Sequence, residues 1–99
     1  MTIKLQTVNF NAKPGLDEYV EKKLGKLEQF YDKILSAQVS MRVENVSEKE
    51  NKFVDIRLEV PGDDIVVKKS GQTFEECIDL SIEALKKMII RRKEKSAVR

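Results

Sequence analysis

The sequence has no histidine, no tryptophan, a single cysteine, two prolines and four glycines, and each scarcity removes a class of function. Without an imidazole neither a Ser/His nor a Cys/His catalytic pair can be assembled. One cysteine and no histidine cannot fill the tetrahedral site zinc prefers, so no metal and no cofactor is expected. Cys77 has no internal disulfide partner and falls on an apolar helical stripe, where a thiol packs as a small hydrophobe. The few glycines make no phosphate-cradling loop, because Gly62 and Gly71 stand alone and Gly15 and Gly25 lie within or beside a helix. Asp63 and Asp64 are adjacent, and adjacent strand residues point to opposite faces, so they form no acid/base pair. The expectation is a protein that is not an enzyme and has no small-molecule substrate. No apolar run approaches the roughly 20 residues of a membrane span, and MTIKLQTVNFNAK lacks the order of a signal peptide. A cytoplasmic protein with no membrane partner follows as an expectation.

What is abundant is charge. Asp, Glu, Lys and Arg make up 36% of the 99 residues, against 40% hydrophobic and 6% aromatic, which implies a modest core under an ionic surface. The length suits one domain, expected over residues 1–95, with 96–99 a disordered basic tail. The net charge of +2 hides an asymmetry: residues 1–85 hold 12 bases and 16 acids, whereas residues 86–99 hold seven bases and one acid, Glu94. Cationic character gathered at one end points to a polyanionic partner more strongly than the total does.

The hydrophobic pattern alternates between two periods. Ile3 and Leu5 alternate with Thr2, Lys4 and Gln6, the signature of a half-buried strand. Pro14 suits a first helical turn, and Leu16, Val20, Leu24, Leu27, Tyr31 and Ile34 recur at helical spacing, predicting a helix to about Lys33. Ala37, Val39, Met41 and Val43 alternate with Gln38, Ser40 and Arg42. After a hairpin loop at Ser47 to Lys52, Val54, Ile56, Leu58 and Val60 alternate with Phe53, Asp55, Arg57 and Glu59. These two strands pair antiparallel. Pro61 and Gly62 turn the chain into a fourth strand at Ile65 to Lys68. Thr73 and Glu76 have capping-box spacing ahead of a helix whose stripe is Phe74, Cys77, Ile78, Ser81, Ile82, Leu85, Met88 and Ile89. The order β-α-β-β-β-α, with one apolar face per strand, predicts an α+β fold in two layers. A four-stranded sheet carries both helices on one face and leaves the other in water, as in double-stranded-RNA-binding domains.

Candidate site residues emerge from charge segregation. On a wheel of about 100° per residue, Lys22, Lys26 and Lys33 share an edge of the first helix, while Asp17, Glu18, Glu21, Glu28 and Asp32 share another. Tyr19 and Phe30 lie between the bases and the core, and Lys23 falls inside the apolar arc, from which it must snorkel outward. Bases interleaved with aromatics suit nucleic acid, because ammonium groups meet phosphates while rings can stack; the alternative is that Tyr19 and Phe30 are core residues. Past Ile89 the core arc of the second helix passes to Arg92 and Lys95, so the segment Arg91 to Lys95 is expected to project beyond the sheet with bases on several faces. The alternative there is a solvated terminal helix. The candidate RNA-binding residues are Lys22, Lys23, Lys26, Lys86, Lys87, Arg91, Arg92, Lys93 and Lys95, with Tyr19 and Phe30 as edge aromatics.

Three segments, EYVEKKLGKLEQFYD, SGQTFEECID and LKKMIIRRKEK, resemble the ribosome hibernation-promoting factors. That family includes the related ribosome-associated inhibitor and was once called the sigma-54 modulation proteins. The resemblance covers nearly the whole chain and implies the same fold. It also implies binding to small-subunit ribosomal RNA in the decoding region between head and body, where messenger and transfer RNA are excluded. Translation would thereby be silenced under stress or in stationary phase. The family's basic positions match Lys23 and Lys26 in the first helix and Lys87, Arg91, Lys93 and Lys95 in the second, and its aromatic pair matches Phe30 and Tyr31. The chain departs from the pattern at Thr73, where the family often has Asp, at Glu75, where it has Tyr, and at Ala84, where it has a base. Ending at Arg99, the chain resembles the short form, with the small subunit and its RNA as partners and a second hibernation factor as a further candidate. The competing functions are a protein-binding, transcription-related regulator and a general RNA-binding module.

Overall fold

The computed structural model describes residues 1–8, 10, 11, 13–44 and 51–97. Its elements follow one another as β1 (Thr2–Val8), α1 (Leu16–Phe30), β2 (Ser36–Val43), β3 (Lys52–Glu59), β4 (Ile65–Gly71) and α2 (Phe74–Ala97). The strands lie side by side in chain order, β1 parallel to β2 and the rest antiparallel. A parallel neighbour needs a crossover, and α1 supplies it.

The strand alternation determines the layering. Ala37, Val39, Met41, Val54, Ile56, Leu58, Ile65 and Val67 are buried against Leu16, Val20, Leu24 and Leu27 of α1 and the stripe of α2. The expected two-layer α+β arrangement is the one observed. Side chains on the other sheet face stand in rows set by the register, such as Lys4, Gln38, Arg57 and Val66 across the four strands. Among the described residues no helix is long and apolar enough to cross a membrane.

Both ends of α1 differ from the expectation. The helix starts at Leu16 behind Gly15, whose φ of 91° is left-handed and open to glycine at little cost, so Pro14 lies outside the first turn. Its last residue is Phe30, not Lys33, because Tyr31 is extended at φ −145° while its amide still donates to the Leu27 carbonyl at 2.9 Å. That break brings the buried Ile34 to the core ahead of β2. β4 runs on to Gly71, three residues past the expected end, paired throughout with β3. The expected loop at 47–52 lies outside the described residues except for Asn51 and Lys52, and Lys52 already belongs to β3.

At the start of α2, Thr73 Oγ1 accepts the Glu76 amide at 3.1 Å, as a capping box requires. The Glu76 carboxylate reaches one residue further back than the usual box and accepts from the Gln72 amide at 3.2 Å. Ser81, buried within the stripe, donates its hydroxyl to the Cys77 carbonyl one turn earlier at 2.7 Å. The helix continues through Ala97, so residues 96 and 97, expected in a disordered tail, extend it; Lys, Glu and Ala are strong helix formers that nothing here interrupts. Residues 98 and 99 lie outside the described residues.

Candidate nucleic-acid interface

The helical layer sorts its charges by edge. On α1, Lys22 and Lys26 are exposed, as is Lys33 just beyond the helix. The acidic edge faces the other way, toward β1, where Glu28 Oε2 lies 2.6 Å from the Met1 amino group. Between the two edges α1 meets α2. There the Tyr19 hydroxyl donates to Asp79 Oδ1 at 2.6 Å, and Lys23 Nζ sits 3.4 Å from the same oxygen and 5.4 Å from the centre of the Tyr19 ring. The hydrogen bond donated to Asp79, then burial, then the Asp79 charge push the Tyr19 phenol up to about 12. Tyr19 is therefore a half-buried strut between helices rather than a free edge aromatic.

Phe30 behaves differently. It remains 38% exposed, and Lys93 Nζ lies 4.9 Å from the centre of its ring, a cation–π pair at the rim of the layer. At about 100° per residue Lys86 and Lys93 share the edge of α2 that carries Asp79, whereas Lys87 and Arg91 fall about 80 to 160° further round. Lys86, Lys87, Arg91 and Lys93 are exposed. Arg92 departs from the expectation that it projects away from the sheet: it is half-buried, and its Nη1 donates to the Pro61 carbonyl at 3.2 Å. The long guanidinium arm lets the core arc of α2 end in a base without leaving the body. The backbone of Lys95 belongs to α2, and its side chain lies outside the described residues.

Lys22, Lys26, Lys86, Lys87 and Arg91 make no ion pair among the described residues. The interhelix seam has a shallow depression of about 230 Å³ lined by Lys23, Asp79, Leu80, Ile82, Glu83 and Lys86. Asp79 and Glu83 were missed as parts of the site by sequence reasoning, although both fall on the α2 edge shared with Lys86. Among the described residues no group of three or more Cys, Asp or Glu is placed to hold a metal ion. Cys77 is buried, with its sulfur 3.4 Å from the Lys52 carbonyl, and does not reach this surface. The arrangement offers fixed cations and one exposed ring, which can bind phosphates and stack a base.

The family described as Sigma 54 modulation protein / S30EA ribosomal protein matches residues 3–97. The chain belongs to that family. A ribosome hibernation promoting factor of Azotobacter vinelandii is 30% identical over 99 residues, covering all of this chain and 89% of the relative. The factor of the same name in Escherichia coli is 30% identical over 95 residues and covered to 96% in both chains. Among solved structures, the N-terminal domain of Thermus thermophilus Protein Y superposes with a TM-score of 0.78 at 26% identity, covering 92% of this chain and 98% of that one. A ribosomal subunit interface protein from Coxiella burnetii gives a TM-score of 0.84 at 22% identity, covering 95% and 99%, which establishes the shared fold. The matched span of the sigma 54 modulation family includes both helices and every candidate base, with Lys95 among them.

Proposed function

We propose that this chain is a cytoplasmic ribosome hibernation factor that binds small-subunit ribosomal RNA in the decoding region. There it blocks messenger and transfer RNA and silences translation under stress or in stationary phase. The name shared by its relatives supports the hibernation role. The observation that carries the RNA contact is the pair of adjacent helices with unpaired exposed cations. Lys22 and Lys26 come from α1 and Lys86, Lys87 and Arg91 from α2, while Glu28 is turned toward β1 and Asp79 is spent on interhelix bonds. The mechanism is occupancy. Ammonium and guanidinium groups replace counterions on phosphates, and the released ions drive binding without any bond being made or broken. Phe30 under Lys93 supplies a ring on which an unstacked base can lie.

The test is binding of the purified chain to bacterial small subunits across a salt series. With about six phosphate contacts, affinity falls on the order of a thousandfold between 50 and 200 mM monovalent salt. Salt-indifferent binding sinks the RNA contact and favours a protein-binding regulator. Subunits already loaded with messenger and transfer RNA should refuse the protein, whereas free duplex RNA should not displace it. Equal competition by duplex RNA would mark a general RNA-binding module.

A further inference from the structure

The outer face of α2, turned away from the sheet, carries a second periodic pattern that neither the core stripe nor the basic end accounts for. Glu76, Leu80, Glu83, Lys87, Ile90 and Glu94 are all exposed, and they follow one another at alternating intervals of four and three residues. That spacing keeps the side chains on one line along the helix, as in the seam of a coiled coil. Leu80 and Ile90, 40% and 44% exposed, are large apolar side chains left in water on this line. Glu83 and Lys87 have the spacing of an intrahelical pair, yet neither makes an ion pair among the described residues.

Read in reverse, the line is complementary to itself. Two copies of α2 laid antiparallel about the level of Leu85 set Leu80 against Ile90 of the second copy and Glu83 against its Lys87, each contact occurring twice. The ion pairs then lie between two apolar layers, and the small Ala84 beside the centre lets the helix axes approach. A parallel alignment sets Glu83 against Glu83 and Lys87 against Lys87, which repel. In the antiparallel one, like charges approach at the ends, where Glu76 meets Glu94 outside the apolar layers, and at Lys86, whose long arm can turn out to water.

We propose that α2 pairs with α2 of a second copy of this chain, antiparallel through Leu80, Glu83, Lys87 and Ile90, and that the pair masks Lys87 in the free protein. The pairing stands on the seam alone, whereas the masking rests on the reading that α2 contacts ribosomal RNA. From Glu76 to Glu94 the line runs about 27 Å. With so few apolar side chains the interface lies at the small end of specific ones, so pairing belongs at about 10 to 1,000 µM.

Sedimentation equilibrium of the purified chain across that range is the test. The average mass should climb from the 11.4 kDa of one chain toward twice that value. Leu80→Gln/Ile90→Gln should stay a single chain. Glu83→Lys and Lys87→Glu should each fail to pair alone, because each sets like charges opposite one another, yet an equal mixture of the two should pair at least as tightly as wild type. All four positions are exposed, so melting should barely change. A wild-type chain that stays single throughout overturns the proposal, as does association untouched by the apolar variant or a mixture no tighter than its components. In a pelleting assay small subunits should carry one copy each, and two copies per subunit overturn the masking. Failure of the RNA reading abolishes pelleting with subunits and leaves the sedimentation result unchanged.

Discussion

From Phe74 to Ile89, α2 buries Phe74, Cys77, Ile78, Ile82, Leu85 and Ile89, whereas beyond Ile89 its described side chains are exposed apart from Arg92, which is half-buried against the Pro61 carbonyl. The charges of the two halves differ in the same sense. In the first half two acids are spent on α1 and the segment before it: Glu75 lies 2.7 Å from Lys13, and Asp79 serves Tyr19 and Lys23. In the second half Arg91 makes no ion pair among the described residues, and Lys93 lies over an exposed ring. One helix thus acts as a core element at its start and as a charged probe at its end. The two roles should respond to mutation separately.

The largest effect belongs to the buried half. Leu85 is 0% exposed, so Leu85→Ala loses its transfer free energy and leaves a cavity, costing about 2 to 5 kcal/mol. Denaturant unfolding measures this, and whatever remains folded should bind small subunits normally. A loss below about 1 kcal/mol would mean that α2 is not anchored through this residue.

The projecting half gives the converse. Arg91→Gln/Lys93→Gln opens no cavity and buries no polar group, so thermal melting should scarcely move. Two lost phosphate contacts should weaken binding by a few tens of fold at 100 mM salt and make the salt slope shallower by about 1.5. Cell-free translation reads the same change as a higher inhibitory concentration. Inhibition at wild-type concentrations by a normally folded variant would make this end a solvated helix and leave the site to α1.

These two predictions rest on features legible in the sequence, because each depends on periodicity within a single element. The stripe from Phe74 to Ile89 needs only the helical repeat, and the alternation in β2 and β3 needs only the pleat. The segregation of Lys22 and Lys26 from the acids of α1 is likewise a property of one wheel. What was not legible depends on how elements meet. Tyr19 and Asp79 are 60 positions apart, and their bond requires the phases of two helices at once. The parallel pairing of β1 with β2, which creates the rows on the open face, depends on the handover through α1. Arg92 sits where the wheel predicts departure from the core, yet the turn after β3 offers it a carbonyl that no local pattern reveals. The left-handed Gly15 shortened α1 for a local reason, since a glycine beside a proline signals a turn that the apolar spacing overrode.

The smallest effect concerns the charge that the first half of α2 turns inward. Asp79→Asn keeps an acceptor for the Tyr19 hydroxyl but removes the carboxylate that favours the neutral phenol. In the folded protein Tyr19 is pushed up to about 12 from an ordinary 10.0, first by the hydrogen bond to Asp79. A raised phenol favours the protonated form in the folded state. Its contribution to stability is therefore fully present below about pH 10 and is lost as the pH rises through about 12. In Asp79→Asn the ultraviolet titration of the phenolate should move down toward 10, and the alkaline loss of stability should begin earlier. The same substitution releases Lys23 from its partner at 3.4 Å, at the seam beside Lys86. If Lys23 then reaches phosphate, the salt slope for small-subunit binding steepens by just under one contact and affinity rises a few-fold. An unmoved titration would show that Asp79 does not hold Tyr19. A moved titration with unchanged affinity would make Lys23 an interhelix tie, leaving the RNA contact of α1 to Lys22 and Lys26.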